Sequence, residues 1–198
     1  MDIKVRPVSE ALLKKYSTIP LSVEVNSVLD IELLQDGLGG VVFHERELDS
    51  PLMKYIEDEP DEIITWPESF DTGRWAVITA EEGGKLTGGL TIACRNPEII
   101  NNRILMGIDD LAVVWDIRVR PGYRRQGIGT QLFGKAIEWS RSRGYKQLSV
   151  ETQNTNVPAC RFYIKQGCRL GGINRYAYYH NPSYVDETQF EYYLDLQE

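Results

Sequence analysis

The segment from Trp115 to Gly144 constrains the fold more than any other part of the chain, because it joins a strand pattern directly to a helix pattern. Apolar side chains alternate at Trp115, Ile117 and Val119, which is typical of a β-strand. Apolar residues then recur at helical spacing from Ile128 to Ser140, and Gly144 follows where a left-handed cap would end the helix. A second alternating strand, from Gln147 to Thr152, completes a strand–helix–strand unit. Such a unit predicts parallel pairing through a right-handed crossover.

The turn inside this segment is basic and rich in glycine. Backbone N–H groups at the start of a helix, together with its positive dipole end, attract anions, and glycine allows an anion to approach the backbone closely. The turn therefore predicts an anion site formed by Arg124, Arg125, Gln126, Gly127, Ile128, Gly129 and Thr130.

Two common nucleotide-binding patterns do not fit this turn. Gly122 and Gly127 have the spacing of a phosphate loop, but Ile128 and Gly129 stand where that loop has lysine and a hydroxyl residue. The dinucleotide pattern requires a third glycine, and Leu132 occupies its position. The pattern that remains is R-x-x-G-x-G, which by itself is also compatible with an ordinary helix start carrying solvated arginines.

Composition narrows the class of protein. The 198 residues are 42% hydrophobic and 26% charged, which is typical of a globular domain. A net charge of −7 argues against a nucleic-acid binder. Neither an apolar leader nor a run of the ~20 residues that span a membrane is present, so a cytoplasmic location is predicted. No metal site is predicted, because metal-ligand spacing is absent from the cysteines and histidines Cys94, Cys160, Cys168, His44 and His180.

The first half of the chain is less regular. Asp2–Val8 predicts a first strand, and Ser9 predicts the cap of a helix that reaches Tyr16. Residues 20–72 are compatible with either strand or helix around Val23–Leu29. Within them, Glu57–Glu62 predicts an exposed acidic loop or, alternatively, a rim that attracts amines.

A hairpin follows, with strands at Arg74–Thr79 and Leu86–Cys94 and a turn at Glu81–Lys85. The apolar piece Ile104–Met106 predicts an inserted strand, and Leu111–Val119 predicts the strand that enters the glycine-rich turn.

After the strand–helix–strand unit, Asn154–Gly167 predicts a further helix. Two aromatic-rich strands, Ile173–His180 and Glu187–Leu196, then predict a final hairpin. The predicted fold is α/β (α+β), with a mixed, mostly antiparallel central sheet flanked by helices.

The helix predicted at Asn154–Gly167 carries a motif of its own in NVPACRFYIKQG. Its fixed positions are Asn156, Ala159, Phe162, Tyr163, Lys165 and Gly167. This motif and the R-x-x-G-x-G turn, in this order, resemble the GNAT superfamily of acetyl-CoA-dependent N-acetyltransferases. The WDIRV strand, ETQNTNVPACRFYIKQGC and the aromatic tail are most similar to streptothricin acetyltransferase-like members.

The resemblance implies a single N-acetyltransferase domain over residues 1–198. Its cofactor-binding part covers about 74–198, and residues 1–73 shape the acceptor site. In this superfamily the fourth and fifth strands, which correspond here to Leu111–Val119 and Gln147–Thr152, splay apart. That splay implies that Ile117, Arg118 and Val119 contact acetyl-CoA through main-chain atoms. The resemblance likewise implies that the Arg124–Thr130 turn holds the pyrophosphate, and that Asn156 bonds the pantetheine arm or a water, caps its helix, or does both.

The reaction requires an acid for the leaving thiolate and a base for the acceptor amine. Tyr163 is at the position of the superfamily's general acid, although a half-buried structural tyrosine is the alternative. Asp116, ranked ahead of Glu151, is the candidate base for the acceptor amine. A structural ion pair between Asp116 and Arg118, a solvated Glu151 and a water chain are the alternatives.

The predicted activity is acetyl transfer to a primary amine by direct attack in a ternary complex, on a small cationic molecule such as a streptothricin-like or aminoglycoside-like antibiotic. A protein or peptide amine and a non-catalytic acyl-CoA sensor are the alternatives. No nucleic-acid or membrane partner is expected. Tyr184, Tyr192 and Tyr193 either form the edge of a homodimer, as in many members of the superfamily, or cover the core.

Overall fold

The structure, a computed structural model, describes residues 1–55, 63–94 and 109–197. Its strands are β1 Asp2–Pro7, β2 Ser22–Leu34, β3 Gly40–Tyr55, β4 Ala76–Glu82, β5 Lys85–Cys94, β6 Leu111–Val119, β7 Gln147–Gln153, β8 Arg169–Asn174 and β9 Gln189–Asp195. Its helices are α1 Glu10–Tyr16, α2 Trp66–Ser69, α3 Ile128–Ser142 and α4 Val157–Lys165.

The chain divides into two compact units: residues 1–21, 57–150 and 193–198 form the first, and residues 22–56 and 151–192 form the second. In the first unit the strands are ordered β1–β4–β5–β6–β7. The β1–β4, β4–β5 and β5–β6 pairs are antiparallel, and β6–β7 is parallel. The predicted mixed, mostly antiparallel sheet and the parallel strand–helix–strand unit are therefore confirmed.

Two neighbouring glycines of β5 allow helices to pack closely on both faces of the first unit's sheet. A Cβ on Gly89 would lie 2.3 Å from Cε2 of Tyr16, which is completely buried at the end of α1. A Cβ on Gly88 would lie 2.9 Å from Cγ2 of Ile128, at the start of α3. Since successive residues of a strand point to opposite faces, α1 and α3 cover opposite sides of β5.

Most of the predicted elements of the first unit are confirmed with small changes at their ends. The hairpin between β4 and β5 turns at Gly83 and Gly84, which both have positive φ. Ser9 is the N-cap residue of α1, but its side chain makes no capping hydrogen bond. The predicted elements Glu57–Glu62 and Ile104–Met106 lie outside the described residues.

In the second unit, the ambiguous region around Val23–Leu29 is a strand. β2 and β3 form a long antiparallel pair, with a register shift between Val25 and Ser27. The remaining strands of this unit are ordered β7–β9–β8, and β7 and β9 each contribute residues to both units.

The predicted strand Ile173–His180 is wrong over most of its length, because β8 covers Arg169–Asn174 and the next residues form turns. The Asn174 side chain accepts a hydrogen bond from the Tyr176 backbone N–H at 3.0 Å, an interaction that favours a turn over a continued strand. Tyr176 and Tyr179 are 73% and 65% exposed, so their β propensity is not supported by packing.

The last predicted strand is confirmed as β9. Its Tyr192 is only 3% exposed and lies against Tyr163, with ring centroids 5.9 Å apart. The tail tyrosines were predicted either to form the edge of a homodimer or to cover the core. For Tyr192, this contact supports the second role.

Candidate functional site

The glycine-rich turn has the backbone conformation of an anion-binding loop. Pro121–Tyr123 forms a short 3-10 helix, Arg125 has φ +63°, and Gly127, the N-cap residue of α3, has φ +81°. Among the described residues, the N-cap of α3 has no side-chain hydrogen bond. The first N–H groups of α3, from Ile128 to Thr130, have no acceptor within the helix, so they are oriented toward the turn.

Contacts within the loop hold it in shape. Arg124 Nε donates to the Val119 carbonyl oxygen at 3.1 Å, and Gln126 Nε2 donates to the Gly122 carbonyl oxygen at 3.3 Å. Arg125 is exposed, and no heavy atom of the described residues, apart from Gly127 and its chain neighbours, lies within 4 Å of the position that a Cβ on Gly127 would occupy. The loop therefore presents one solvent-facing guanidinium and an open backbone, both of which suit a phosphate group.

Pairing between β6 and β7 within the first unit stops before the end of β6 that precedes this loop. Within the first unit, the register between β6 and β7 ends at Val114 and Val150. Opposite β5, the register shifts between Val114 and Asp116, so Trp115 forms a bulge. A bulge bends a strand and increases its twist, which accounts for the loss of pairing at this point. The predicted splay of the two strands is compatible with this bulge and stays a prediction.

The backbone groups at the end of β6 alternate between two directions. The Arg120 N–H donates to the Thr87 carbonyl oxygen at 2.9 Å, which fixes the alternation of the β5–β6 ladder. It follows that Arg118 directs its backbone groups toward β5, whereas Ile117 and Val119 direct theirs to the other edge. Among the described residues of the first unit, β7 offers no register partner to Ile117 or Val119. These two residues therefore suit the predicted main-chain role, and Arg118 does not.

Asp116 and Arg118 belong to a buried polar network on one face of β6. Arg118 donates from Nε to Asp116 Oδ1 at 2.8 Å and from Nη2 to Oδ2 at 2.5 Å. The Tyr16 hydroxyl also donates to Asp116 Oδ1, and Arg118 Nη1 donates to the Ile19 carbonyl oxygen at 3.2 Å. Burial, with the Asp116 carboxylate as the next contribution, raises the pKa of Tyr16 well above its ordinary value. These contacts favour the ion-pair interpretation of Asp116.

Tyr163 and Asn156 lie in the second unit, on and before α4. Asn156 is the N-cap of α4, and its side-chain oxygen accepts a hydrogen bond from the Ala159 N–H at 3.3 Å. The predicted cap is therefore confirmed. Tyr163 is 4% exposed, so it is buried rather than half-buried, and its ring contacts those of Phe162 and Tyr192.

Glu151 is exposed, but its carboxylate has a specific partner. The Tyr178 hydroxyl donates to Glu151 Oε1, and Gln153 Nε2 donates to the Tyr178 oxygen at 3.1 Å. Burial raises the pKa of Tyr178, and the Glu151 carboxylate raises it further. Sequence reasoning missed Tyr178 and Tyr16 as partners of the predicted bases, because no local pattern marks contacts between residues so distant along the chain.

The cysteines are buried, and burial favours their protonated form. Cys94, Cys160 and Cys168 are unpaired thiols, and burial raises the pKa of Cys94 and of Cys168 to about 11. A thiol that stays protonated at neutral pH is a poor nucleophile. Within residues 1–55, 63–94 and 109–197, no group of three or more potential metal ligands occurs. In the same ranges, every helix is too short or too polar to cross a bilayer.

Comparisons with known proteins fit this geometry. Residues 42–168 match the model of the acetyltransferase (GNAT) family. Streptothricin acetyltransferase A of Bacillus subtilis (strain 168) is 38% identical over 82 residues, or 41% of this chain. This chain spans about half of that relative, 47% of its length. Streptothricin acetyltransferase of Streptomyces lavendulae is 28% identical over 160 residues, covering 79% of this chain and 76% of that protein.

A solved structure shares the fold over nearly the whole chain. It is a candidate streptothricin acetyltransferase from Bacillus anthracis str. Ames, determined in complex with acetyl coenzyme A. The TM-score is 0.73 at 22% sequence identity, with 98% of each chain covered. An identity this low establishes a common fold and nothing finer.

Proposed function

Since this chain belongs to the acetyltransferase (GNAT) family, we propose that it transfers an acetyl group from acetyl-CoA to a primary amine on a small cationic molecule. The conformation of the loop from Arg124 to Thr130 is the observation that carries the proposal. Its amides, its exposed arginine and its left-handed glycine form a cradle suited to a pyrophosphate.

The residues of this loop fit acetyl-CoA at the phosphate end. The N–H groups from Ile128 to Thr130 would donate to phosphate oxygens, and Arg125 would supply a charge-assisted hydrogen bond. A side chain at Gly127 would occupy the open space beside these donors. When bound, acetyl-CoA supplies the acetyl group as an activated thioester.

The end of β6 fits the role of a main-chain platform. Ile117 directs its N–H and C=O groups, and Val119 its N–H group, to the edge where the β7 register has ended, while the Val119 carbonyl oxygen already accepts a hydrogen bond from Arg124. An extended pantetheine arm carries amides that can pair with such groups. An oriented backbone donor beside a developing oxyanion contributes a few kcal/mol to transition-state stabilisation.

Tyr163 is proposed as the general acid. Proton transfer from a phenol, with an ordinary pKa near 10, to a thiolate whose conjugate thiol has a pKa near 8.5 is uphill by only about 1.5 pKa units, which a positioned general acid can supply during bond cleavage. Burial at 4% exposure and the ring contacts with Phe162 and Tyr192 fix its orientation. Asn156, already engaged as a cap, keeps its amide N–H donors for the pantetheine arm or a water.

Of the two candidate bases, Glu151 suits the acceptor amine better than Asp116. Both oxygens of Asp116 accept hydrogen bonds from Arg118, and one accepts a further bond from Tyr16. Glu151 is exposed, and the described residues place no cationic side chain within 4.0 Å of it. Direct loss of the acceptor's ammonium proton to water, without a protein base, is compatible with the surroundings of both Glu151 and Asp116.

The acceptor class rests on the relatives. Two proteins similar to this chain are named streptothricin acetyltransferases, and streptothricin-like or aminoglycoside-like amines are therefore the first substrates to test. A homodimer and a cytoplasmic location are part of the proposal, on the strength of the family alone.

Thermal unfolding with and without acetyl-CoA tests cofactor binding. Ligand at about 100 times its Kd should add about 2.7 kcal/mol of stability. Thiol release from acetyl-CoA is then measured over a panel of streptothricin, an aminoglycoside, spermidine and a peptide with a free N-terminus. Turnover with the peptide alone would redirect the proposal to protein acetylation. Stabilisation without turnover on any amine would indicate a sensor, and no stabilisation would refute acetyl-CoA binding itself.

A further inference from the structure

The exposed carboxylate of Glu151 is held in one orientation by a short chain of hydrogen bonds. Gln153 Nε2 donates to the Tyr178 oxygen at 3.1 Å, so the hydroxyl hydrogen of Tyr178 is directed at Glu151 Oε1. Gln153 follows Glu151 on β7 by two residues, and both side chains therefore lie on the same face of the strand. An exposed glutamate normally samples several rotamers, whereas this one is restricted by a phenol that is itself half-buried.

A neighbouring cation belongs to another carboxylate. Lys54 Nζ lies 2.6 Å from both carboxylate oxygens of Glu187, and the two side chains are only 13% and 12% exposed. Lys54 also lies over the Tyr184 ring, 4.6 Å from its centroid, and the Tyr184 and Tyr178 rings are 6.3 Å apart. The positive charge of Lys54 is thus neutralised by Glu187. Glu151 adds a net negative charge beside two tyrosine rings.

An oriented carboxylate next to aromatic rings is suited to binding an ammonium group. Carboxylates are weaker bases than alkylamines by about six pKa units, so they bind alkylammonium ions far more readily than they deprotonate them. The rings add a cation–π contribution for a desolvated ammonium.

We infer that Glu151 anchors a positively charged group of the acceptor substrate, and that Tyr178 is the positioning residue that holds the anchor. This inference rests on the proposed function, because it assigns the acceptor side of the same reaction. An anchor of this kind favours substrates that carry a cationic group, and Tyr178 contributes to their recognition. Gln153 completes the arrangement by orienting the phenol.

The experiment compares Glu151→Gln, Tyr178→Phe and the control Tyr176→Phe, which removes a hydroxyl from a 73% exposed tyrosine of the same segment. The wild-type protein is first shown to acetylate one cationic amine from the panel. The KM for that amine, the KM for acetyl-CoA and the turnover number kcat are then measured at about 20 mM and about 300 mM salt, since screening weakens exposed charge pairs. Isothermal titration with the amine alone supplies a readout that does not depend on turnover.

Glu151→Gln should raise the amine KM and the titrated Kd about tenfold at low salt, and should abolish most of the salt dependence seen for the wild type. Tyr178→Phe should raise the amine KM about threefold to tenfold, with kcat, the acetyl-CoA KM and the melting temperature nearly unchanged. Tyr176→Phe should match the wild type.

Wild-type turnover combined with an unchanged amine KM in Glu151→Gln would overturn the anchor. A Glu151 effect with Tyr178→Phe equal to Tyr176→Phe would overturn the positioning role. A loss in kcat at constant amine Kd would identify Glu151 as a base rather than an anchor. Absence of wild-type turnover, by contrast, would refute the proposed function itself.

Discussion

The Arg118 guanidinium and the Asp116 carboxylate form a two-point ion pair on one face of β6, with N–O distances of 2.8 and 2.5 Å and both side chains at most 6% exposed. The Tyr16 hydroxyl adds a third hydrogen bond to the same carboxylate. Breaking a buried pair by removing one partner leaves an uncompensated charge, which typically costs about 3–5 kcal/mol. The network thus ties α1 to the strand whose far edge is proposed to bind the cofactor.

Asp116→Asn should therefore lower the free energy of unfolding by about 3 kcal/mol or more, measured by urea denaturation. Lys135→Ala is the control, because its pair with Glu138 is exposed and should contribute less than about 1 kcal/mol. If Asp116 is structural, the turnover rate per folded molecule is retained in Asp116→Asn at low temperature. A decrease in turnover by a factor of about 100 or more in fully folded protein would instead support the general-base role.

Two glycines of the same helix should respond oppositely to alanine. Gly127 is left-handed at the start of α3, so Gly127→Ala should cost about 1–2 kcal/mol and reduce the stabilisation by acetyl-CoA. Gly134 is inside α3 with open space around its Cβ position, so Gly134→Ala should add up to about 1 kcal/mol. Thermal unfolding with and without acetyl-CoA measures both effects. Equal ligand-induced shifts in the two variants would count against the loop as the pyrophosphate site.

Tyr163→Phe should lower kcat by about 10²–10⁴-fold while acetyl-CoA affinity is nearly kept, because the ring packing remains and only the proton donor is lost. Steady-state kinetics gives kcat, and a thermal shift with acetyl-CoA reports affinity. Phe162→Leu, which changes the neighbouring ring without touching a hydroxyl, is the control for packing. An unchanged kcat in Tyr163→Phe would remove this residue as the acid.

Alkaline pH should destabilise the fold partly through Cys168, whose pKa is raised from 9.0 to about 11 by burial. The folded state keeps this thiol protonated where the unfolded chain loses the proton, so its contribution is complete below pH 9 and declines as pH rises toward 11. Cys168→Ala should reduce the pH slope of the unfolding free energy in this range by up to about 1.4 kcal/mol per pH unit. Urea denaturation at several pH values gives the slopes, and identical slopes for the two proteins would contradict the assignment.

Much of the secondary structure near the glycine-rich turn was predictable, because it depends on residues close together in the chain. The alternation of Leu111–Val119 predicts β6 with its correct ends. Helical spacing predicts α3, and Asn156 predicts the start of α4. The tail was not predicted well, because strand propensity at Tyr176 and Tyr179 is outweighed by exposure and by the Asn174 turn.

The sequence by itself determined the family resemblance, the glycine-rich loop that is proposed to bind the pyrophosphate, and the order of the elements around it, since these depend on short spacings and on local backbone preferences. Only the tertiary structure decided which polar side chains act together. Tyr16 and Asp116 are 100 residues apart, and Tyr178 reaches Glu151 across 27 residues. The Trp115 bulge, which follows the last register pair of β6 with the first unit's part of β7, depends on the register with β5. Such contacts arise when distant segments pack to bury apolar surface, so no local pattern specifies them.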